Sequence, residues 1–134
     1  MIRDLLITEI EKEFAGWEMT ITPNENSIVR FPSVQKEVGD VVIYDDGEEA
    51  TVCIEGISHG HFTSSDVSLA ETGRDQEITE DVIDFLKALF SDKVLLFTTA
   101  DHKSGGWMRL DLQEGPAQLS SRYRYFLWSK PYQL

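Results

Sequence analysis

The sequence predicts an α+β fold, and three observations carry that prediction. Apolar residues recur at helical spacing in two segments, near the start of the chain and around residues 79–90. Elsewhere, short runs of alternating or continuous apolar residues are separated by Gly, Pro and Asn, as in strands joined by tight turns. The element order is one helix, four strands, one helix and three strands, αββββαβββ. We expect one curved, mainly antiparallel sheet of about six or seven strands with both helices on one face.

The first half of the chain predicts one helix and four strands. The helix is expected over residues 2–15, and Gly16 is placed to end it because glycine tolerates the positive φ of a helix C-terminus. Strands are expected at residues 17–21, 27–31, 40–44 and 50–55. Apolar alternation continues from the fourth strand to Phe62, and a bulge or sharp bend is expected at Gly56.

A polar, Ser/Thr-rich loop is predicted over residues 63–76, followed by a second helix with Thr79 as its N-cap. Residues 94–98 form a continuous apolar run, typical of a central strand buried on both faces. A turn at 101–106, with Gly105–Gly106 as its hairpin signal, leads to a strand over 107–112. The last strand is predicted at about residues 119–128.

Length and composition indicate one domain over residues 1–134. With 41% hydrophobic residues, a chain of this size can bury a sizeable core without a covalent staple. Cys53 is the single cysteine, so no internal disulfide is possible and a reducing compartment is favoured. The N-terminus does not resemble a signal peptide, and no apolar run is long enough for a membrane span. We therefore expect a cytoplasmic protein that does not associate with membranes.

Charge is distributed unevenly along the chain. Residues 1–92 hold 21 of the 24 Asp and Glu and six of the 12 Lys and Arg, a formal charge of −15, whereas residues 93–134 carry +3. A net charge of −12 repels phosphate backbones, which argues against nucleic-acid binding, and favours a basic protein partner. The predicted acidic binding surface is centred on Asp45, Asp46, Glu48, Glu49, Glu80 and Asp81.

The histidines form the most specific candidate for a metal-binding site. His59 and His61 are one residue apart, so on a strand they face the same side and can present two nitrogens to one metal ion. His102, Asp101, Asp45 or Asp46 could complete such a site. The alternative is that these are exposed or hydrogen-bonded histidines without a ligand.

No catalytic residue is predicted. Asp101, His102 and Ser104 are the residue types of a hydrolytic triad, but neighbours in sequence do not converge in space as a triad must. Gly105–Gly106 does not lead into a helix, so a phosphate cradle is not indicated either. The acidic turn at residues 45–49 lacks the acceptor spacing of an EF-hand loop.

The C-terminal segment could form an aromatic patch. Arg122, Arg124, Phe126 and Trp128 fall on one face of the predicted last strand, and clustered Arg and aromatic residues often anchor interfaces. If this strand lies at a sheet edge, strand pairing could produce a homodimer. If it is central, the rings belong to the core.

The element order resembles that of small chaperone-like and frataxin-like α/β sandwiches, which implies a layered fold and no particular activity. In size and charge the chain resembles small acidic bacterial immunity proteins, which neutralise basic toxins. Our preferred hypothesis is a non-enzymatic acidic module, comparable to an immunity protein, adaptor or chaperone, that binds a basic protein and needs no cofactor. The alternative is a small metal-dependent or ligand-binding enzyme built on His59, His61 and His102.

Overall fold

A computed structural model describes residues 2–22, 26–64, 70–114 and 118–132. Within these ranges the chain forms two helices and eight strands, which confirms the α+β class. The elements in chain order are α1 Ile2–Glu13, β1 Thr20–Ile21, β2 Ser27–Phe31, β3 Val41–Asp45, β4 Ala50–Ile54, β5 Ser58–Phe62, α2 Glu71–Phe90, β6 Val94–Thr98, β7 Gly105–Arg109 and β8 Arg124–Phe126.

The strands form two antiparallel sheets, so the prediction of a single sheet is wrong. β1 to β5 follow one another in a five-stranded meander, and the second sheet has the order β7-β6-β8. β5 and β7 are close, but no hydrogen-bonded ladder joins them. The six-membered ring of Trp107 lies against Gly60, where an added Cβ would be 2.8 Å from the ring. The two sheets therefore pack here through a side chain.

The element order differs from the expected one by a single strand. Residues 55–57 form the sharp bend that was one of the two predicted alternatives at Gly56, and β5 follows as a separate strand, so five strands precede α2. The register of this hairpin pairs Thr51 with His61 and Cys53 with His59. The prediction for β6 is confirmed, because β6 is the centre of its sheet and four of its five residues are buried.

The second helix begins earlier than predicted. Ala70 is its N-cap and Glu71 its first residue, so the loop expected over residues 63–76 is wrong for residues 71–76. Thr79 lies inside the helix and is 2% exposed, and its hydroxyl donates to the carbonyl oxygen of Asp75 at 2.7 Å. This hydrogen bond gives the Thr79 hydroxyl a partner inside the helix, where threonine is otherwise less favourable than at an N-cap. Burial of Ile78 stabilises the turns of α2 that precede the predicted start of the helix.

The glycine pair is not the predicted hairpin turn. The connection runs through residues 99–104, and Gly105 and Gly106 are the first residues of β7. An added Cβ at Gly105 would lie 2.4 Å from the carbonyl oxygen of Ile57. Glycine is needed here for a close approach between backbones. The last strand is also shorter than expected, since β8 covers only Arg124–Phe126.

One cluster of buried side chains draws on both helices and both sheets. Its aromatic part joins Phe14, directly after α1, to β2, α2 and the C-terminal segment. Phe14 lies 5.8 Å from Phe31 between ring centroids, Phe31 lies 5.0 Å from Phe90, and Phe90 lies 5.2 Å from Trp128. These edge-to-face and tilted contacts fix the helices on the five-stranded sheet.

Neither helix in the described ranges combines the length and apolar character that a bilayer span requires.

Candidate functional site

The turn between β3 and β4 presents part of the predicted acidic surface. The amide of Asp46 donates to the carbonyl oxygen of Glu49 at 3.0 Å, and the amide of Gly47 donates to Asp45 Oδ1 at 3.0 Å. Asp45 Oδ2 also lies 3.7 Å from Arg3 Nε, so the charge of Asp45 is paired within the protein. Asp46 and Glu48 are exposed, and Glu49 is half-buried.

Four acids form a ridge on α2, which we call the α2 ridge. Glu77, Glu80, Asp81 and Asp84 are three or four residues apart, so their side chains are neighbours on one helix face. The pKa of Asp81 is raised, first by desolvation and then by the charges of Glu77, Asp84 and Glu80. Like charges at this spacing destabilise a helix, so the ridge opposes folding.

A groove of about 470 Å³ runs between the two helices beside this ridge, and we call it the α1–α2 groove. Its base includes the buried side chains of Thr79 and Ile83, and Leu5 adds a half-buried apolar contact. Lys87 is the single base in the lining and lies 2.9 Å from Glu13. The remaining lining residues are Glu9, Gln76, Glu80 and Asp84, so the groove has an acidic rim over a partly apolar base.

From the groove to the β3–β4 turn, neighbouring depressions share lining residues. Leu5 lines both the groove and a second depression, and Asp75 lines both that depression and a third. The third depression includes Glu48 and Glu49 of the turn. Of the predicted acids, Glu48 and Glu49 line the third depression and Glu80 lines the groove, whereas Asp45, Asp46 and Asp81 line none of these three. Arg74 is the single base lining the third depression.

A carboxylate–imidazole cluster lies at the same turn. His61 Nδ1 lies 3.1 Å from Glu49 Oε1 and 2.9 Å from Thr51 Oγ1, and the Thr51 hydroxyl also bonds the Asp46 carboxylate. One possible ligand atom from each of Asp46, Glu49 and His61 lies within 4.8 Å of the other two. Asp46 and His61 were predicted as metal candidates, whereas Glu49 was predicted only for the acidic surface.

The three predicted histidines do not meet at one point. His59 and His61 share a face of β5, with ring centroids 5.3 Å apart, but His102 Nδ1 bonds the carbonyl oxygen of Gly56 at 2.8 Å. In the part of the chain that the structure describes, the only group of three possible metal ligands contains His61 without His59 or His102. The signal that could have found its partner Glu49 is the β4–β5 register, which pairs Thr51 with His61.

The predicted aromatic patch is only half exposed. Phe126 is 5% and Trp128 3% exposed, so both rings belong to the core, and their prediction as binding residues is wrong. The strand carries rings on both faces, and the sequence pattern could not tell which rings are covered. Arg122 and Arg124 are exposed, and Arg124 Nη2 lies 2.6 Å from Glu37 Oε2.

β8 is an edge strand, but residues 130–132 bond its outer side. The amide of Leu127 donates to Lys130 O at 2.9 Å, and the amide of Tyr132 donates to Tyr125 O at 3.1 Å. These bonds occupy backbone groups that strand-to-strand pairing would use. A homodimer remains a prediction, and this edge does not favour it.

The turn over residues 99–104 uses its polar side chains internally. Asp101 Oδ1 accepts hydrogen bonds from the Thr99 hydroxyl at 2.6 Å and the Lys103 amide at 3.1 Å. These bonds lower the pKa of Asp101. Because Asp101 and His102 have partners other than Ser104, the residue types of a triad serve here to shape a turn.

No protein-family model, curated protein or solved structure matches this chain. Its function is therefore inferred from charge, geometry and contacts.

Proposed function

We propose that this protein is a non-enzymatic module that binds a basic protein through the α2 ridge and the α1–α2 groove. The observation that carries this proposal is geometric: four acids follow one face of α2, and two of them, Glu80 and Asp84, line the groove. A surface that opposes folding is expected to be retained where binding needs it. Lysine and arginine side chains of a partner would neutralise the row of acids.

The chain's own bases relieve this repulsion incompletely. Asp84 pairs with Arg109 at 3.0 Å, but within the described ranges no ion pair joins Glu80 or Asp81 to a base. Partner cations placed there would gain attraction without displacing an existing ion pair. The partly apolar base of the groove would add contact area that is independent of salt.

The proposal includes a class of partner and a compartment. An acidic module that neutralises, carries or regulates a basic protein fits the resemblance to immunity, adaptor and chaperone proteins. Nucleic acid is not proposed as a partner, because a net charge of −12 opposes it. We place the module in the cytoplasm. The single cysteine is consistent with this, since burial raises the pKa of the Cys53 thiol and keeps it protonated.

The test is affinity capture from the native host at low and high salt, with two double variants as baits. Glu80→Lys/Asp81→Lys reverses charge on the ridge. Glu18→Lys/Glu114→Lys makes the same change in net charge at exposed acids outside the ridge and groove. We expect a basic protein to bind the wild type and the second variant at low salt and to be lost at high salt. The ridge variant should not retain it.

The recovered partner is then titrated against each bait by calorimetry. Equal affinity for the ridge variant and the wild type, or binding that does not change with ionic strength, would contradict the proposal. Circular dichroism of each bait establishes that loss of binding does not reflect loss of folding.

A further inference from the structure

Two hairpins bring three metal-ligating side chains to one point at the end of the five-stranded sheet. Asp46 and Glu49 flank the two central residues of the β3–β4 turn, and the bond from the Asp46 amide to Glu49 O closes that turn. His61 lies on the neighbouring β5, opposite Thr51 of β4. The backbone therefore positions two carboxylates and one imidazole before any ligand is present.

The spacing of these groups suits a small divalent cation. Nitrogen and oxygen donors lie about 2.0–2.2 Å from zinc, so two donors of one ion are at most about 4.4 Å apart. The donors of Asp46, Glu49 and His61 lie within 4.8 Å of one another, so small side-chain rotations would bring them to bonding distance. Asp46 and His61 are exposed, which leaves the cluster open to an ion and to water ligands.

Thr51 acts as the positioning residue of this cluster. Its hydroxyl bonds the Asp46 carboxylate, and its oxygen lies 2.9 Å from His61 Nδ1. Thr51 is 7% exposed, so its place is fixed by packing within the sheet. A buried hydroxyl that contacts both side chains holds them in a defined orientation before an ion binds.

We propose that Asp46, Glu49 and His61 bind one divalent transition-metal ion. Imidazole favours zinc, nickel and similar ions over magnesium and calcium, and two carboxylates supply negative charge. Three protein ligands leave coordination positions for water. This proposal does not rest on the proposed function, because metal binding here requires no other protein and no residue of the α2 ridge, although Asp46 and Glu49 belong to the predicted acidic surface.

The test is calorimetric titration of the tag-free full chain with Zn²⁺ and Co²⁺, with Mg²⁺ as the comparison ion. His61→Gln and Glu49→Gln each remove one proposed ligand. His59→Gln is the matched control for the imidazole, because His59 shares the face of β5 but is outside the cluster. Glu48→Gln is the matched control for the carboxylate, since Glu48 is the neighbour of Glu49 in the same turn.

We expect one Zn²⁺ per wild-type chain, weak or no Mg²⁺ binding, and a Co²⁺ absorption band that depends on His61. Affinity should fall by about tenfold or more in both ligand variants and stay within about twofold of wild type in both controls. Absence of saturable Zn²⁺ binding would overturn the proposal. Equal losses in His59→Gln and His61→Gln would also overturn it, by showing diffuse binding to surface imidazoles. Thermal melting without metal checks that each variant is folded.

Discussion

Replacing Asp81 by asparagine should make the folded protein more stable, although it removes a residue of the proposed binding surface. Asparagine has nearly the same size and helix propensity as aspartate, so the change removes charge with little change in shape. The charge removed is the one whose pKa is raised by desolvation and by Glu77, Asp84 and Glu80. The substitution therefore relieves a repulsion that the native helix maintains.

The magnitude follows from the helix geometry. Glu77 and Asp84 lie four residues before and three residues after Asp81, and each like-charge pair at such spacing costs about 0.2–0.5 kcal/mol. Asp81 is exposed, so solvent screening places the sum near the lower end, at about 0.5 kcal/mol. For a chain of this size, that corresponds to a rise in melting temperature of about 2 °C.

The sign of the pH dependence follows from the raised pKa of Asp81. Between the ordinary aspartate pKa of about 3.9 and the raised value, the folded state binds more protons at Asp81 than the unfolded state. The loss of folding stability caused by the Asp81 charge is therefore largest at neutral pH and disappears as the pH falls through this window. The advantage of Asp81→Asn over wild type should shrink on acidification.

Urea unfolding followed by circular dichroism at low salt measures the effect. Glu11→Gln is the control, because Glu11 is exposed on α1 and has no charged residue three or four positions away. Repulsion within the α2 ridge is excluded as the cause if Asp81→Asn gains no more stability than Glu11→Gln, or if its gain is unchanged in about 1 M salt, where charges are screened beyond about 3 Å.

Three further outcomes are expected in urea unfolding. Gly105→Ala should lower the free energy of unfolding by about 3 kcal/mol, because the new Cβ would lie 2.4 Å from the carbonyl oxygen of Ile57. A loss below about 1 kcal/mol would show that β7 can move away from Ile57. Phe31→Ala should lower the free energy of unfolding by about 3–5 kcal/mol, since Phe31 is 1% exposed within the aromatic cluster. An unchanged urea midpoint would contradict that packing. The Asp40 pKa is lowered chiefly by its hydrogen bond from Arg30, so the stability Asp40 contributes should be present above about pH 4 and lost as the pH falls through the lowered value. Asp40→Asn should remove that part of the acid sensitivity, and a pH profile identical to wild type would count against it.

Local elements of the fold could be predicted because their patterns are local. β2 and β6 have the predicted bounds, since alternating or continuous apolar runs between turn residues specify a strand directly. Division into two sheets could not be predicted in this way. Side-chain alternation tells which residues share a face, but not which strand pairs with which. The first turns of α2 were missed because residues 71–76 are almost entirely polar and gain their helical order from burial further along the helix.

The candidate site was predictable in composition more than in geometry. The acids of the turn and of α2 were identified from charge, but their connection through Asp75 and Leu5 depends on how α1 packs on α2. His61 was identified from its spacing to His59, but its carboxylate neighbours follow from the pairing of β4 with β5. Neither arrangement could be predicted from apolar alternation, because alternation alone does not specify strand register or the packing of one helix on another.

The packing of Trp107 against Gly60 gives the protein an intrinsic optical reporter. The Trp107 ring lies 5.1 Å from the ring of Phe85 on α2, at a tilt of 40°, and it also contacts Gly60 at the edge of the five-stranded sheet. Its environment therefore depends on both sheets being in place. If Trp17 and Trp128 are replaced by phenylalanine, a single emission band remains. Trp107 is half-buried, so separation of β5 from β7 would expose more of its ring to water and shift the band to longer wavelength, even while both helices keep their far-ultraviolet signal.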